Sequence, residues 1–275
     1  MNYKRFLLTA LCIFVSLLIG CAGSTTHRAT SVVDYLYPNQ SDRIEKPSIP
    51  TLSLPMNVGI AFVPSATDVS FNERQKMELM EKVSGHFKKY PFVKTIELIP
   101  SAYLRPQGSF TNLDQIRTMF SVDVIALLSY DQTQFTDEGV LSLAYWTLIG
   151  AYIVPGEKND THTMMDAAVY DISSRKLLFR APGISQVEHR ATPVNLKEQL
   201  RLDSQEGIRE ASKELVKNLE VQLEQFKEKV KHSPQQFKVV HKPGYTGAGN
   251  IDGIMAILIT ALGVTSLWMR RIWKI

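Results

Sequence analysis

The stretch Val122-Asp123-Val124-Ile125-Ala126-Leu127-Leu128 is nearly continuous in apolar residues and is β-branched at its start. Such a run is typical of a strand that is buried on both faces, because it shows little alternation between an apolar and a polar side. A strand of this kind needs cover on both sides. The run therefore predicts a mixed or parallel sheet with helices packed against it.

The segments before this run alternate between strand and helix patterns. A short apolar run bounded by prolines, residues 57–64, predicts a buried strand, and residues 92–99 alternate well enough for a second strand. Asn72 predicts the N-cap of a helix between them. Thr111–Asp114 resembles a capping box, which predicts a short helix over residues 112–120. The order strand, helix, strand, helix, strand fits an α/β layer.

The segments after the run contain a hydrophobic stretch and a pair of strand patterns. Residues 140–154 form the most hydrophobic internal segment, but it is too short and too hydroxylated to predict a membrane span. It predicts a core strand or a buried helix, with a membrane-contacting or self-associating element as the alternative. Residues 164–170 and 176–180 predict two paired strands around the polar turn 171–175.

Residues 202–231 predict one long amphipathic helix, since apolar residues recur at spacings of three and four with charges between them. The apolar positions are Ile208, Ala211, Leu215, Leu219, Leu223, Phe226 and Val230. This stripe predicts packing on the sheet of its own domain. A coiled coil with another subunit is the alternative, because the pattern lasts about four heptads.

These patterns predict a single domain of the α/β (or α+β) class over residues 57–232, with a mixed sheet covered by helices. Residues 21–56 hold serine, threonine and four prolines, which predicts an extended tether, although the apolar residues within 32–37 could dock on the domain. Residues 233–249 predict a second linker that contains a cleavage region.

The N-terminus predicts export and lipidation. Residues 1–5 carry two cations, Lys4 and Arg5, and the apolar run that follows is shorter than the roughly 18 to 20 residues of a spanning helix, so residues 1–20 predict a signal peptide. The run ends at Leu18-Ile19-Gly20-Cys21, which resembles the lipobox of bacterial lipoproteins. The resemblance implies cleavage after Gly20 and lipidation of Cys21. The alternatives are an ordinary signal peptide with an incidental cysteine and an uncleaved N-terminal anchor.

The two cysteines of the chain then leave no thiol for a disulfide. Cys12 departs with the signal peptide, and Cys21 is consumed by lipid. A conventional hydrophobic core must therefore hold the mature domain together.

The C-terminus, residues 250–275, predicts a transmembrane helix with a basic tail. Ile251–Met269 is long enough to span a bilayer and contains one acid, Asp252, near its start, and the cations Arg270, Arg271 and Lys274 should remain cytoplasmic. The preceding glycines, Gly247 and Gly249, are separated by Ala248. This arrangement resembles the GlyGly-CTERM sorting signal, which implies cleavage near the glycines by the rhomboid-type protease rhombosortase. A plain tail anchor is the alternative.

A chain with both signals resembles the rhombotarget lipoprotein family, which is defined by sorting rather than by a biochemical activity. The resemblance implies a precursor at the inner membrane and partners that are lipoprotein-processing enzymes, a rhomboid-type sorting protease and membrane lipid. Ala22 is not the aspartate that commonly retains lipoproteins at the inner membrane. We therefore expect a lipid-anchored mature protein at the outer membrane or the cell surface.

Charge and motifs argue against several classes of function. Five of the 31 basic and one of the 27 acidic residues lie in the removable ends, which leaves 26 of each and no basic patch for nucleic acid. The six histidines show no paired metal-ligand spacing, and GxSxG, Walker and Rossmann motifs are absent from the sequence. We therefore predict no metal, no cofactor and no catalytic residue.

Two local groups of acids and histidines could suggest chemistry, but their pattern is typical of solvated loops. The first is Asp160-Thr161-His162 near Asp166, and the second is Glu188-His189-Arg190. The leading hypothesis is a non-enzymatic binding or assembly module whose partner is another envelope protein. The alternatives are an envelope-polymer hydrolase with an unrecognised site and an oligomeric secretion-accessory lipoprotein built through residues 140–154 and the final helix.

Overall fold

A mixed sheet lies at the centre of the molecule. The computed structural model describes residues 24–39, 48–64, 71–138, 157–192, 194–243 and 245. In this part of the chain the strands are β1 (Ser24–Ala29), β2 (Thr51–Leu54), β3 (Met56–Phe62), β4 (Val93–Ile99), β5 (Val124–Glu138), β6 (Glu157–Asp171), β7 (Lys176–Ala191) and β8 (Lys238–His241). The helices are α1 (Val32–Leu36), α2 (Glu73–Phe87), α3 (Ser109–Phe120) and α4 (Leu196–His232), with a short 3-10 helix at Ser101–Tyr103.

The main sheet has the order β4-β3-β5-β6-β7. Strand β3 runs parallel to β4 and β5, whereas β5, β6 and β7 are antiparallel to one another. Strand β1 pairs antiparallel with the outer half of β5, beyond the part that pairs with β3. The mixed α/β single domain predicted from the sequence is confirmed.

Helices cover both faces of the sheet, as the central run predicted. Alternate residues of β5 point to opposite sides: Ala126 and Leu128 join the core under α2 and α4, whereas Ile125 and Leu127 join the core under α1 and α3. Each fully buried aliphatic side chain of this kind contributes about 1.5 to 3 kcal/mol relative to an exposed one. The two cores therefore share one sheet as their common wall.

The long final helix, α4, is also confirmed, although it begins at Leu196 rather than at residue 202. The predicted apolar stripe is buried from Ile208 to Phe226, and Val230 is partly buried against the same core. Helix α4 makes its most extensive contacts with β7 and β6 of its own domain. The stripe thus packs on the sheet rather than being left exposed for a partner helix.

The predicted tether over residues 21–56 needs correction where the structure describes it, whereas the alternative, docking of apolar residues within 32–37, is confirmed. Residues 24–29 form β1, α1 buries Val32, Tyr35 and Leu36, and residues 51–54 form β2. The physical reason is that the outer half of β5 would otherwise present unpaired backbone groups, which β1 satisfies. The predicted linker over residues 233–249 is corrected in the same way, because β8 lies within it and pairs in parallel with β2.

One helix start was predicted correctly and another was not. Asn72 caps α2, with its side chain accepting from the Gln75 backbone N–H at 3.0 Å in a complete capping box. Helix α3 begins at Ser109 without a side-chain cap, earlier than predicted. Its Asn112 instead accepts from the Tyr35 hydroxyl at 2.9 Å and from the Arg105 backbone N–H at 2.8 Å, so this amide ties α1 and the preceding loop to α3.

Several predicted segments lie outside the described residues: the signal peptide 1–20, the hydrophobic segment 140–154 and the C-terminal residues 250–275. Within the described residues, no helix combines the length and the apolar character that crossing a membrane requires.

Candidate ligand-binding cavity

An apolar cavity of about 260 Å³ lies between the sheet and helix α4. The sheet contributes its floor through Ile60, Ala126 and Val169, and α4 contributes Leu219 and Leu223. Further walls come from α2, from β2 and from β8. The cavity therefore sits where the main sheet, the long helix and the small β2–β8 sheet meet.

The mouth of the cavity is marked by those lining residues that reach solvent. Val239 is 42% exposed, and the Lys231 side chain is 64% exposed. Among the described lining residues, polar ends are carried by Lys227, Lys231 and Tyr245. The cavity thus has an apolar interior and cationic and hydroxyl groups at its entrance.

Aromatic rings form part of the wall beside this entrance. Phe87, Tyr90 and Phe92 stack in series, with ring centroids 6.0 and 5.2 Å apart. The ammonium groups of Lys89 and Lys227 lie 5.5 and 5.7 Å from the centre of the Tyr90 ring. Cations at such distances are attracted to the face of an aromatic ring. The stack therefore joins the end of α2 to the end of α4.

The same two helix ends are joined by an ion-pair network. Lys89 Nζ and His86 Nδ1 lie 3.1 and 3.0 Å from Glu220 Oε1 on α4. The hydrogen bond from Lys89, together with that from His86, lowers the pKa of Glu220, and the same carboxylate raises the pKa of Lys89. Because these groups are solvent-exposed, the network positions the helix ends more than it stabilises the fold.

Sequence reasoning missed both the cavity and its basic surroundings. The relevant lysines lie in two segments, residues 88–89 and 227–242, which are far apart in the chain. The fold brings them together because α2 and α4 end at the same end of the sheet. An even charge balance in the mature chain therefore coexists with a locally basic end, and only a fold prediction that placed both helix ends could have revealed it.

Farther along the sheet, the face that packs against α4 changes from apolar to polar. The Gln132 amide donates to Thr163 Oγ1 at 2.8 Å and to the Ser204 carbonyl at 3.1 Å, and the Ser204 hydroxyl donates back to Gln132 at 2.6 Å. The Gln134 amide likewise donates to the Leu200 carbonyl of α4 at 2.8 Å. This polar layer fixes the first half of α4 by hydrogen bonds, whereas its second half borders the cavity.

One of the two predicted acid–histidine groups takes part in this layer. His189 Nδ1 lies 2.7 Å from Oδ1 of Asp203, a fully buried residue of α4 that also accepts from the Gln199 amide at 2.8 Å. The expected solvated loop was therefore wrong for His189, which lies on strand β7 and pairs with a buried carboxylate of α4 that sequence proximity did not indicate. Neighbouring Glu188 instead pairs at the surface with Lys158, at 3.3 Å.

The other group lies on strand β6 and not in a loop, on the face of the sheet opposite α4. His162 Nε2 is 3.1 Å from Asp160 Oδ1, and Asp166 pairs with Arg180 at 2.6 Å. Burial raises the pKa of Asp166, while the hydrogen bond from Arg180 opposes that shift. No cluster of three or more metal-ligating residues occurs in the described part of the chain. The predicted processing and anchoring residues, Gly20, Cys21, Gly247, Gly249, Arg270, Arg271 and Lys274, lie outside it.

Comparison with known proteins gives weak likenesses only. No protein-family model matches the chain, and none of the curated proteins matches its sequence. Two structures of the PelC dodecamer from Paraburkholderia phytofirmans are each 10% identical and cover 71% of this chain and 96% of their own, with TM-scores of 0.29 and 0.27. A neuraminyllactose-binding hemagglutinin homolog from Helicobacter pylori is 9% identical and covers 72% of this chain and 97% of its own, with a TM-score of 0.36. Any functional assignment therefore rests on the site itself.

Proposed function

We propose that this chain is an envelope lipoprotein whose domain is a non-enzymatic binding module for an acyl chain. The cavity between the sheet and α4 is the observation that carries the proposal. Its apolar interior suits a hydrocarbon chain, and the lysines and the tyrosine at its mouth suit an anionic or polar head group. The ligand class is therefore a fatty acid or a lipid with a negatively charged head.

The size of the cavity supports a chain rather than a small solvent molecule. An engineered apolar cavity of about 150 Å³ in another protein stays dry and binds benzene. The cavity here is larger, at about 260 Å³, and opens at one side, so part of a longer chain can enter while its head remains outside. Each methylene group that leaves water contributes about 0.8 kcal/mol to such binding.

The arrangement of groups supports binding rather than catalysis. Within the described lining, the interior offers no pair of a nucleophile and a base, since Lys227, Lys231 and Tyr245 stand at the mouth. The His189–Asp203 pair belongs to the polar layer under the first half of α4, and neither residue lines the cavity.

The ends of the chain complete the proposal through their sequence motifs. Lipidation of Cys21 would anchor the protein, and cleavage near Gly247 and Gly249 by a rhomboid-type protease would remove the C-terminal anchor. These motifs resemble those of rhombotarget lipoproteins and favour a mature form at the outer membrane or cell surface. They are supported by the residues of the two ends alone.

Binding can be tested with the polypeptide of residues 24–245, which contains both apolar cores. The probe is cis-parinaric acid, a fatty acid that fluoresces when it is buried. We expect saturable binding that Ala126→Leu weakens at least tenfold, because this residue forms part of the cavity floor. The control is Ala102→Leu, which makes the same chemical change at an exposed position and should leave binding unchanged. If the wild type and both variants bind the probe equally well, the ligand does not occupy this cavity and the proposal is wrong.

A further inference from the structure

We propose that the basic end of the domain around the cavity mouth docks on the surface of an anionic lipid bilayer. This basic rim consists of the lysines at the ends of α2 and α4 and on β8 with its flank: Lys88, Lys89, Lys227, Lys229, Lys231, Lys238 and Lys242. Docking of this kind uses the surface of the domain and not the cavity, so it does not require a bound ligand. Three features of the rim support docking on a bilayer: its charge, its aromatic side chains and the path of the chain beyond it.

The charge of the rim is positive even after its ion pairs are counted. Four acidic residues pair with its lysines: Asp123, Glu220, Glu224 and Glu228. Seven lysines against four carboxylates leave three positive charges, whereas the mature chain as a whole is balanced. Such a local excess attracts an anionic surface within about one Debye length, roughly 8 Å at physiological salt.

The aromatic side chains of the rim suit the boundary between water and lipid. The Phe87–Tyr90–Phe92 stack is partly exposed, and Lys89 and Lys227 lie over its central ring. Tyrosine has an apolar body with a polar tip, and a lysine buries its methylene stem while its ammonium group stays in water. Both types are therefore favoured at lipid head groups.

The path of the chain brings this end close to the predicted C-terminal anchor. Lys242 Nζ binds Asp123 Oδ2 at 3.0 Å at the start of β5, and Tyr245 lines the cavity mouth. Ile251, where the apolar C-terminal stretch begins, follows Tyr245 by six positions in the chain. Six residues span at most about 20 Å. If that stretch crosses the membrane, Tyr245 at the cavity mouth must lie within about this distance of the bilayer.

The described chain begins at the opposite end of the sheet, three residues after the predicted lipidation site. Ser24 pairs with Thr136, twelve residues along β5 from Val124, which corresponds to about 40 Å. Cys21 precedes Ser24 by three residues, or about 10 Å of chain. With both anchors in one membrane, β5 must therefore run along the bilayer and not stand upright on it. After C-terminal cleavage, contact at the rim would depend on its own affinity for lipid.

The experiment places an environment-sensitive thiol fluorophore on the rim at exposed position 235 through Gln235→Cys. Two lipidated proteins are compared in nanodiscs: the full chain and a chain ending at Gly249, which keeps only the lipid anchor. The discs contain phosphatidylcholine alone or phosphatidylcholine with phosphatidylglycerol. We expect the shorter chain to report an apolar environment only in the phosphatidylglycerol discs, and to lose that signal at high salt.

Charge variants decide whether the rim itself makes the contact. Reversal of the exposed lysines Lys88, Lys229 and Lys238 to glutamate should lower the docked-to-undocked ratio of the shorter chain at least tenfold. A matched reversal of three exposed basic residues nearer the start of α4, Lys197, Arg201 and Arg209, should leave it unchanged. Equal signals in both lipids, or an unaffected lysine variant, would overturn the proposal. Loss of acyl-chain binding with docking retained would instead refute only the proposed function.

Discussion

Replacing Ala126 by leucine should stabilise the ligand-free domain, although enlarging a buried core residue usually does the opposite. Ala126 is 7% exposed, and it lies on the cavity floor beneath α4. The leucine adds three carbon atoms, and burial of each contributes about 0.8 kcal/mol, which sets an upper bound of about 2.4 kcal/mol. Because the cavity is open at one side, we expect a gain of about 0.5 to 2 kcal/mol, typical of cavity filling.

The matched comparison is Ala167→Leu, the same change in the same core. Ala167 lies on the neighbouring strand β6, is fully buried and does not line the cavity. Extra atoms in a filled core force side chains and backbone to shift, so this variant should lose about 1 to 3 kcal/mol.

Urea unfolding of residues 24–245 measures both changes as shifts in the free energy of unfolding. By thermal unfolding, the Ala126→Leu protein should melt a few degrees higher than the wild type, at about 2 to 4 °C per kcal/mol for a domain of this size. If Ala126→Leu destabilises the domain as much as Ala167→Leu does, the floor is already packed and the reasoning from the cavity is wrong.

Further predictions concern packing, anchoring and processing. Gly183→Ala should destabilise the domain by several kcal/mol, because a Cβ there would lie 2.5 Å from the Leu215 backbone nitrogen. Gly85→Ala, at an open position in a helix, should instead stabilise the domain by up to about 1 kcal/mol. Urea unfolding of both variants shows whether the free energy of unfolding falls in the first and rises in the second. Cys21→Ser should abolish labelling with a fatty-acid analogue and Cys12→Ser should not, and persistent label on the first would refute the lipobox. Replacing Gly247 and Gly249 with leucine should block C-terminal processing in a host that contains rhombosortase, as measured by intact mass. If the wild-type protein also stays full-length in that host, the sorting signal is refuted and a simple tail anchor is the remaining interpretation.

Local patterns in the sequence predicted much of the architecture. The run 122–128 predicted a strand covered on both faces because its burial follows directly from its composition, and the stripe from Ile208 to Phe226 predicted a helix packed on that sheet. Asn72 predicted a cap because a capping box is completed within four residues. In each case the residues that decide the structure are close together in the chain.

Features that depend on distant partners were not predicted. Strand β1 has the polar sequence Ser-Thr-Thr-His-Arg-Ala, and it is a strand because the outer half of β5 offers it backbone hydrogen bonds. Asp203 is buried beneath His189 because α4 crosses β7 at that point. The basic rim exists because two helices end together. Each of these three features can be predicted only after the topology of the fold is known.

The cavity could not be predicted for a different reason. Its lining residues have the composition of an ordinary core, and many of them belong to the apolar core on the α4 side of the sheet. Whether such residues fill their space depends on how the main sheet, α4 and the β2–β8 sheet fit together, which no local pattern encodes. A cavity of this kind therefore cannot be recognised from the sequence of its lining residues.

The most direct test of acyl-chain binding is to locate the chain by nuclear magnetic resonance. Isotope-filtered Overhauser spectra of methyl-labelled residues 24–245 with a saturating fatty acid report which protein methyl groups touch the ligand methylenes. The account predicts contacts to Ala126, Val169 and Leu219, which line the cavity, and none to Leu113 or Ile116 in the core on the other face. Ligand contacts confined to other residues, or none at saturation, would contradict it.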